Sequence, residues 1–176
     1  FGSSCLVSSP LVGTSLSPLC WRGPTQEQHL VVVSTMTDFT GRWKLVKVEG
    51  EADTFLSEMG LGWAMRKMIG AMGYGVGKMI QDIKMSDSEI TISIEGVPKT
   101  SVQSLKFGES DQETNTPDGG TIFATLQWDG PALVMTAKRT KDGPQLPQQR
   151  RYLEGDMMIL EGTTSKGPFK RIFAKE

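Results

Sequence analysis

Asp53-Thr54-Phe55-Leu56-Ser57-Glu58-Met59-Gly60-Leu61-Gly62-Trp63-Ala64-Met65-Arg66-Lys67-Met68-Ile69 decides the fold, because its apolar residues recur at helical spacing while its surroundings alternate. Asp53 or Thr54 can cap a first helix, and the glycines at 60 and 62 divide it from a second. The expected element is a helix-turn-helix lid of about 20 residues. Upstream, Gly41-Arg42-Trp43-Lys44-Leu45-Val46-Lys47-Val48 alternates apolar and charged residues and predicts a first strand. Downstream, short branched or alternating runs cover 78–85, 89–95, 99–107, 122–128, 133–139, 148–153, 157–161 and 169–174. Turn signals separate them, among them Ser86-Asp87-Ser88, Gly96-Val97-Pro98, Pro117-Asp118-Gly119-Gly120, Asp142-Gly143 and Lys166-Gly167-Pro168. Many short strands joined by hairpin turns make an antiparallel meander. About nine or ten such strands strain an open twisted sheet, and closure removes the edges. The expected architecture is all-β, an antiparallel up-and-down barrel with a helical lid inserted after its first strand.

Composition narrows the function. The chain is 38% hydrophobic and 22% charged, with formal net charge -1, so no overall basic field exists to capture nucleic acid. No apolar run reaches the length of about 18 residues that a membrane helix needs. Residues 1–35 are rich in Ser, Pro and Leu, lack a periodic apolar pattern, and hold the only histidine, His29, and both cysteines, Cys5 and Cys20. The longest apolar run there, Leu30-Val31-Val32-Val33, is too short for a signal peptide core. This stretch is read as a disordered or non-native extension ahead of a functional domain at 36–176. Without imidazole or thiol, that domain lacks the commonest general base, the commonest soft metal ligands and any cysteine nucleophile. It needs no oxidising compartment, and a cytoplasmic location, with the nucleus also open, is expected.

The candidate chemical motifs mostly fail. Gly70-Ala71-Met72-Gly73-Tyr74-Gly75-Val76-Gly77-Lys78 suggests a phosphate loop, but Met72 and Met79 stand where that motif needs Gly and Ser or Thr. A flexible link from lid to barrel is the expected role. Met59, Met65, Met68, Met72, Met79 and Met85 gather in the lid and the next strand, either as core filling or as an adaptable apolar surface. Arg151 and Arg171 stand out more. Alternation puts Phe169, Arg171 and Phe173 on one face of the last strand, mixing two rings with a guanidinium as a ligand cavity requires. If Arg151 faces inward, Arg150 faces outward.

The order of strand, helix pair, long meander and terminal Arg-x-aromatic resembles the intracellular lipid-binding proteins. These are the cytosolic fatty-acid- and retinoid-binding proteins of the calycin superfamily. The resemblance covers 36–176 and rests on several marks taken together. They are Phe39-Thr40-Gly41-Arg42-Trp43-Lys44-Leu45, the lid from Phe55 to Arg66, Glu113-Thr114 with Asp118-Gly119, and Lys170-Arg171-Ile172-Phe173. It implies ten strands around a large cavity, no catalysis, no cofactor and no metal. It also implies a ligand carboxylate held by two arginines and a tyrosine. Arg171 matches the second arginine and Arg151, twenty residues earlier, the first. Phe173 stands in place of the tyrosine, as in the retinol-binding members, which pair it with glutamines. Gly50-Glu51-Ala52-Asp53 and Asp111 also depart from the family pattern.

The expected function is binding and transport of a long-chain fatty acid, with a retinoid or a pigment such as a bile pigment as the alternative. The expected ligand-binding residues are Arg151, Arg171, Phe173, Phe169, Phe55, Met59 and Trp63. Arg66, Lys67 and Lys78 are the expected portal, open to transient contact with anionic membranes, and a monomer is expected.

Overall fold

A computed structural model describes residues 36–96, 100–116 and 119–176. The predicted extension at 1–35 and parts of two predicted turns, 97–99 and 117–118, lie outside the described residues. Ten antiparallel strands run β1 (Gly41–Gly50), β2 (Ile80–Met85), β3 (Glu89–Glu95), β4 (Ser101–Lys106), β5 (Gln112–Asn115), β6 (Thr121–Asp129), β7 (Ala132–Lys138), β8 (Gln149–Glu154), β9 (Met157–Thr164) and β10 (Gly167–Lys175). Helices α1 (Ala52–Glu58) and α2 (Trp63–Ala71) separate β1 from β2, as the switch of period predicts. The sheet order is β4-β3-β2-β1-β10-β9-β8-β7-β6-β5, so first and last strands pair and the meander curls into a nearly closed barrel.

The seam lies between β4 and β5, where side-chain amides take the place of a backbone ladder. Gln112 accepts from the Lys106 N–H at 2.7 Å and donates to the Lys106 carbonyl at 2.8 Å. Gln103 donates to the Asn115 carbonyl at 2.7 Å. A carboxamide carries the same donor and acceptor as a peptide group, so it satisfies an edge that would otherwise stay open.

Inward residues divide into two apolar clusters. One fills the end away from the helices, where Phe39, Trp43, Leu45, Ile83, Ile90, Met158 and Phe173 are buried with Phe107 and Trp128 packed against them. The Trp43 indole N–H donates to the Phe39 carbonyl at 2.8 Å, so this ring brings no unpaired donor into the core. The other cluster joins lid to barrel through Phe55, Leu56 and Phe169. Phe55 and Phe169 stack with centroids 3.8 Å apart.

Local details differ from the sequence expectation for identifiable reasons. Helix α1 begins one residue before Asp53, and neither Asp53 nor Thr54 is its cap; Glu51 holds that position and accepts from the Thr54 hydroxyl at 2.8 Å. Entry into α1 needs a left-handed residue at Gly50 (φ 72°), where a Cβ would collide with the Pro168 carbonyl. The predicted flexible link is instead an ordered 3₁₀ turn at Gly73–Gly75, tied back by Gly77 N–H to the Leu45 carbonyl at 2.7 Å.

Candidate ligand-binding site

Between the two clusters lies a cavity of about 280 Å³. Most of its wall is apolar: Ile90, Ile92, Ile94, Leu105, Ile122 and Leu126 face it from β3, β4 and β6, with Phe55, Met59 and Met65 on the lid side. Gln81, Gln149, Arg151 and Arg171 interrupt the apolar wall near β2, β8 and β10, and Gln103 and Thr116 do so near β4 and β5. An apolar chamber with a few polar groups on its wall is the usual form of a small-molecule site.

Strand register explains why two arginines twenty residues apart meet the same chamber. Leu160 of β9 pairs with Arg151 on one side and Arg171 on the other. The three residues therefore form one row across adjacent strands, and all point inward because opposite residues share a face. Arg150, one position earlier, faces outward and pairs with Asp129.

The two inward guanidiniums are electrostatically alone. Among the described residues, no ion pair includes Arg151 or Arg171. Burial pushes both down to about 10, with desolvation the cause in each case. Both remain cationic at neutral pH. Arg151 is 7% exposed, and its Nη1 donates to Gln81 Oε1 at 2.9 Å and lies 3.2 Å from Met158 Sδ. Arg171 keeps more accessible surface, which is compatible with its desolvation because it lines the cavity. Its guanidinium carbon lies 5.3 Å from the Phe55 ring centroid, and it makes no hydrogen bond among the described residues. A desolvated cation with vacant donors is costly, and an anion in the chamber would offset that cost.

The remaining expected site residues divide. Phe55 and Met59 line the cavity with the two arginines. Phe169 and Phe173 face inward but do not line it. Phe169 is covered by Phe55, and Phe173 is sealed between neighbours on β1 and β9, Leu45 and Met158. Trp63 is 68% exposed on α2, which buries none of its residues, and it does not line the cavity. Of the portal residues, Arg66 donates to Asp53 at 2.6 Å and links the two helices, while Lys67 and Lys78 are exposed. Three lining residues of note were not anticipated: Gln81, Gln149 and Tyr74. The signal for Gln81 was a polar residue on the apolar face between Met79 and Ile83, and for Gln149 its place two residues before Arg151.

Lid and barrel are joined unevenly. The Ser165 hydroxyl and the Ser165 N–H, the latter at 2.8 Å, both donate to Glu58 Oε1, and the hydroxyl bond first and the N–H bond second hold the Glu58 carboxyl below its usual range. Arg139 lies against Gly60 (φ 82°), occupying the space a Cβ would need. These contacts fix α1 and the turn after it, whereas α2 is tied to α1 by the Arg66–Asp53 pair and rests Ile69 on the Phe55–Leu56–Phe169 cluster.

No protein-family model matches the chain. Among curated proteins, a fatty acid-binding protein of Clonorchis sinensis is 31% identical, over 73% of this chain and 90% of that protein. Fatty acid-binding protein 5 of Pygoscelis papua is 36% identical, over 57% of this chain and 78% of that protein. Among solved structures, the REP1-NXSQ fatty acid transporter superposes with a TM-score of 0.65 at 25% identity, over 78% of this chain and 95% of that one. With the barrel, the lid and the paired inward arginines, these similarities establish that the chain belongs to the intracellular lipid-binding protein family, among the fatty acid-binding proteins.

Proposed function

We propose that this protein binds and carries a long-chain fatty acid, its tail in the apolar chamber and its carboxylate on Arg151 and Arg171. The relatives are named as binders and transporters of fatty acids, and the chain is a carrier of hydrophobic ligands rather than an enzyme. The observation that carries the finer reading is the pair of buried guanidiniums with no acidic partner among the described residues. Each methylene moved from water into the chamber contributes about 0.8 kcal/mol, so the tail supplies most of the affinity. The arginines supply selectivity, because a carboxylate leaves water readily only for charged, directional donors. One chain encloses the whole chamber, so a monomer suffices.

The helical end suits ligand exchange at a membrane. Trp63, Met68, Met72 and Val76 are exposed on α2 and the following turn, near Lys67 and Lys78. Apolar side chains next to lysines fit the interface of an anionic bilayer. This contact would be transient, and within the cell the carrier would work in the cytoplasm.

Mass spectrometry of an organic extract from natively purified protein tests the ligand. Fatty acids near one equivalent per chain are expected. A retinoid or a coloured pigment at that stoichiometry, visible beforehand in the absorbance spectrum, would replace the fatty-acid reading.

A further inference from the structure

Gln81 is 3% exposed, yet it is a polar side chain on the apolar inner face of β2. Its only hydrogen bond among the described residues is the one it accepts from Arg151 Nη1 at 2.9 Å. That contact joins strands 70 positions apart in the chain. A guanidinium has donors only, so the atom of Gln81 that meets it must be the oxygen. The amide nitrogen is thereby directed elsewhere, with two N–H groups to donate. It is not among the polar atoms that are both sealed and unbonded, which are Arg66 Nε, Ser101 Oγ and Trp128 Nε1. It therefore keeps accessible surface, and for a residue this buried that surface belongs to the cavity it lines.

Phe173, where a tyrosine hydroxyl would be expected, is sealed in the core and offers no hydrogen bond. We propose that Gln81 is a specificity-determining residue of the head-group site: its oxygen holds Arg151 in place while its N–H groups donate to a carboxylate oxygen of the ligand. The proposal rests on the reading of the arginine pair as a carboxylate site. A carboxylate has two oxygens and about four acceptor positions, enough for Arg171, Arg151 and one carboxamide together. Gln81 would thus supply from β2 the neutral donor that β10 lacks. Its free N–H groups also favour an acid over a neutral head, because a carboxylate is a charged and stronger acceptor than a hydroxyl.

Oleate and oleyl alcohol titrated into wild type, Gln81→Leu and Gln81→Glu test this, with thermal unfolding run beside them to establish that each variant is folded. Leucine keeps similar bulk and removes the amide. Glutamate places a carboxylate on Arg151, which neutralises that cation from within and repels an incoming acid. Gln81→Leu is expected to bind oleate about tenfold or more weaker while oleyl alcohol changes by less than about twofold. Gln81→Glu is expected to lose oleate still further and to unfold at higher temperature than wild type. If wild type prefers oleate but both variants bind it unchanged, Gln81 has no part in the site. Equal weakening for acid and alcohol in Gln81→Leu would also overturn the proposal, by showing a packing role alone. If wild type shows no preference for oleate, the carboxylate reading of the arginines fails, and this proposal with it.

Discussion

Arg150 and Arg151 are neighbours in β8 with the same side chain, and strand alternation sends them to opposite faces. On the outer face, Arg150 pairs with Asp129, and Lys170 and Tyr152 both meet Glu161. Every one of those cations has an acidic partner and water besides. On the inner face of the same strands, Arg151 and Arg171 have no acidic partner among the described residues. Outer pairs of this kind contribute about 0–1 kcal/mol, because water screens them and long side chains lose freedom in forming them. A buried cation is worth far more to whatever completes it. On the function proposed above, the difference between the faces teaches where binding energy would be stored: in the charges that folding leaves unpaired.

Removing an inner charge should break the contrast most. Arg171→Ala is expected to weaken fatty-acid binding by about 2–4 kcal/mol, since the carboxylate stays buried with one charged partner fewer. The empty variant should be at least as stable as wild type, because it buries one cation less. Fluorescence displacement and thermal unfolding on the same preparation measure both effects. Unchanged oleate affinity would remove Arg171 from the site.

A smaller effect is expected from Phe173→Tyr. This ring is sealed beside Leu45 and Met158 and does not reach the chamber. A hydroxyl placed there costs about 1–3 kcal/mol of stability if it finds no partner. A lowered unfolding temperature with unchanged oleate affinity is the expected result. Tighter oleate binding would show that the hydroxyl reaches the head group after all.

On the outer face, Arg150→Ala should change stability by less than about 1 kcal/mol and leave ligand affinity untouched. A loss of oleate binding comparable with that of Arg171→Ala would erase the distinction between the faces.

Smallest of all is the expected response to pH. Burial has lowered both inner guanidiniums to about 10, so each folded-state value lies below its unfolded one. The cost of burying the charges is therefore fully present below about pH 10 and is relieved only as pH rises through that value. Between about pH 6 and 9 the charge on the site is constant, and oleate affinity should be flat. It should fall as pH rises toward 10 and the site loses its protons. A tenfold change inside the flat window would show that some other group titrates on binding.

Much of this was legible because closed sheets leave strong periodic marks. The lid announced itself by a change of period and Arg171 by its alternation with Phe169 and Phe173, while Arg151 was marked by the twenty-residue spacing that the family resemblance implies. Strand β5 was not legible. Its four residues, Gln112-Glu113-Thr114-Asn115, are all polar, so they show no apolar alternation, and their role at the seam is carried partly by side-chain amides. Which inward ring lines the chamber and which seals it also escaped the sequence. Phe169, Arg171 and Phe173 share a face, but only packing of α1 above and Leu45 and Met158 beside them divides that face into lid contact, cavity and core. Trp63 escaped for a related reason: helix periodicity shows an apolar stripe, and α2 turns much of its stripe outward.

The central claim is that the unpaired inner charges select an acidic head group. Calorimetric titration of wild-type protein with oleate and with oleyl alcohol, which share a tail and differ only at the head, tests it most directly. Hydrogen bonds to a charged group contribute about 1.5–3 kcal/mol, so oleate is predicted to bind about 10- to 100-fold tighter. Equal affinity, or tighter binding of the alcohol, would contradict the account.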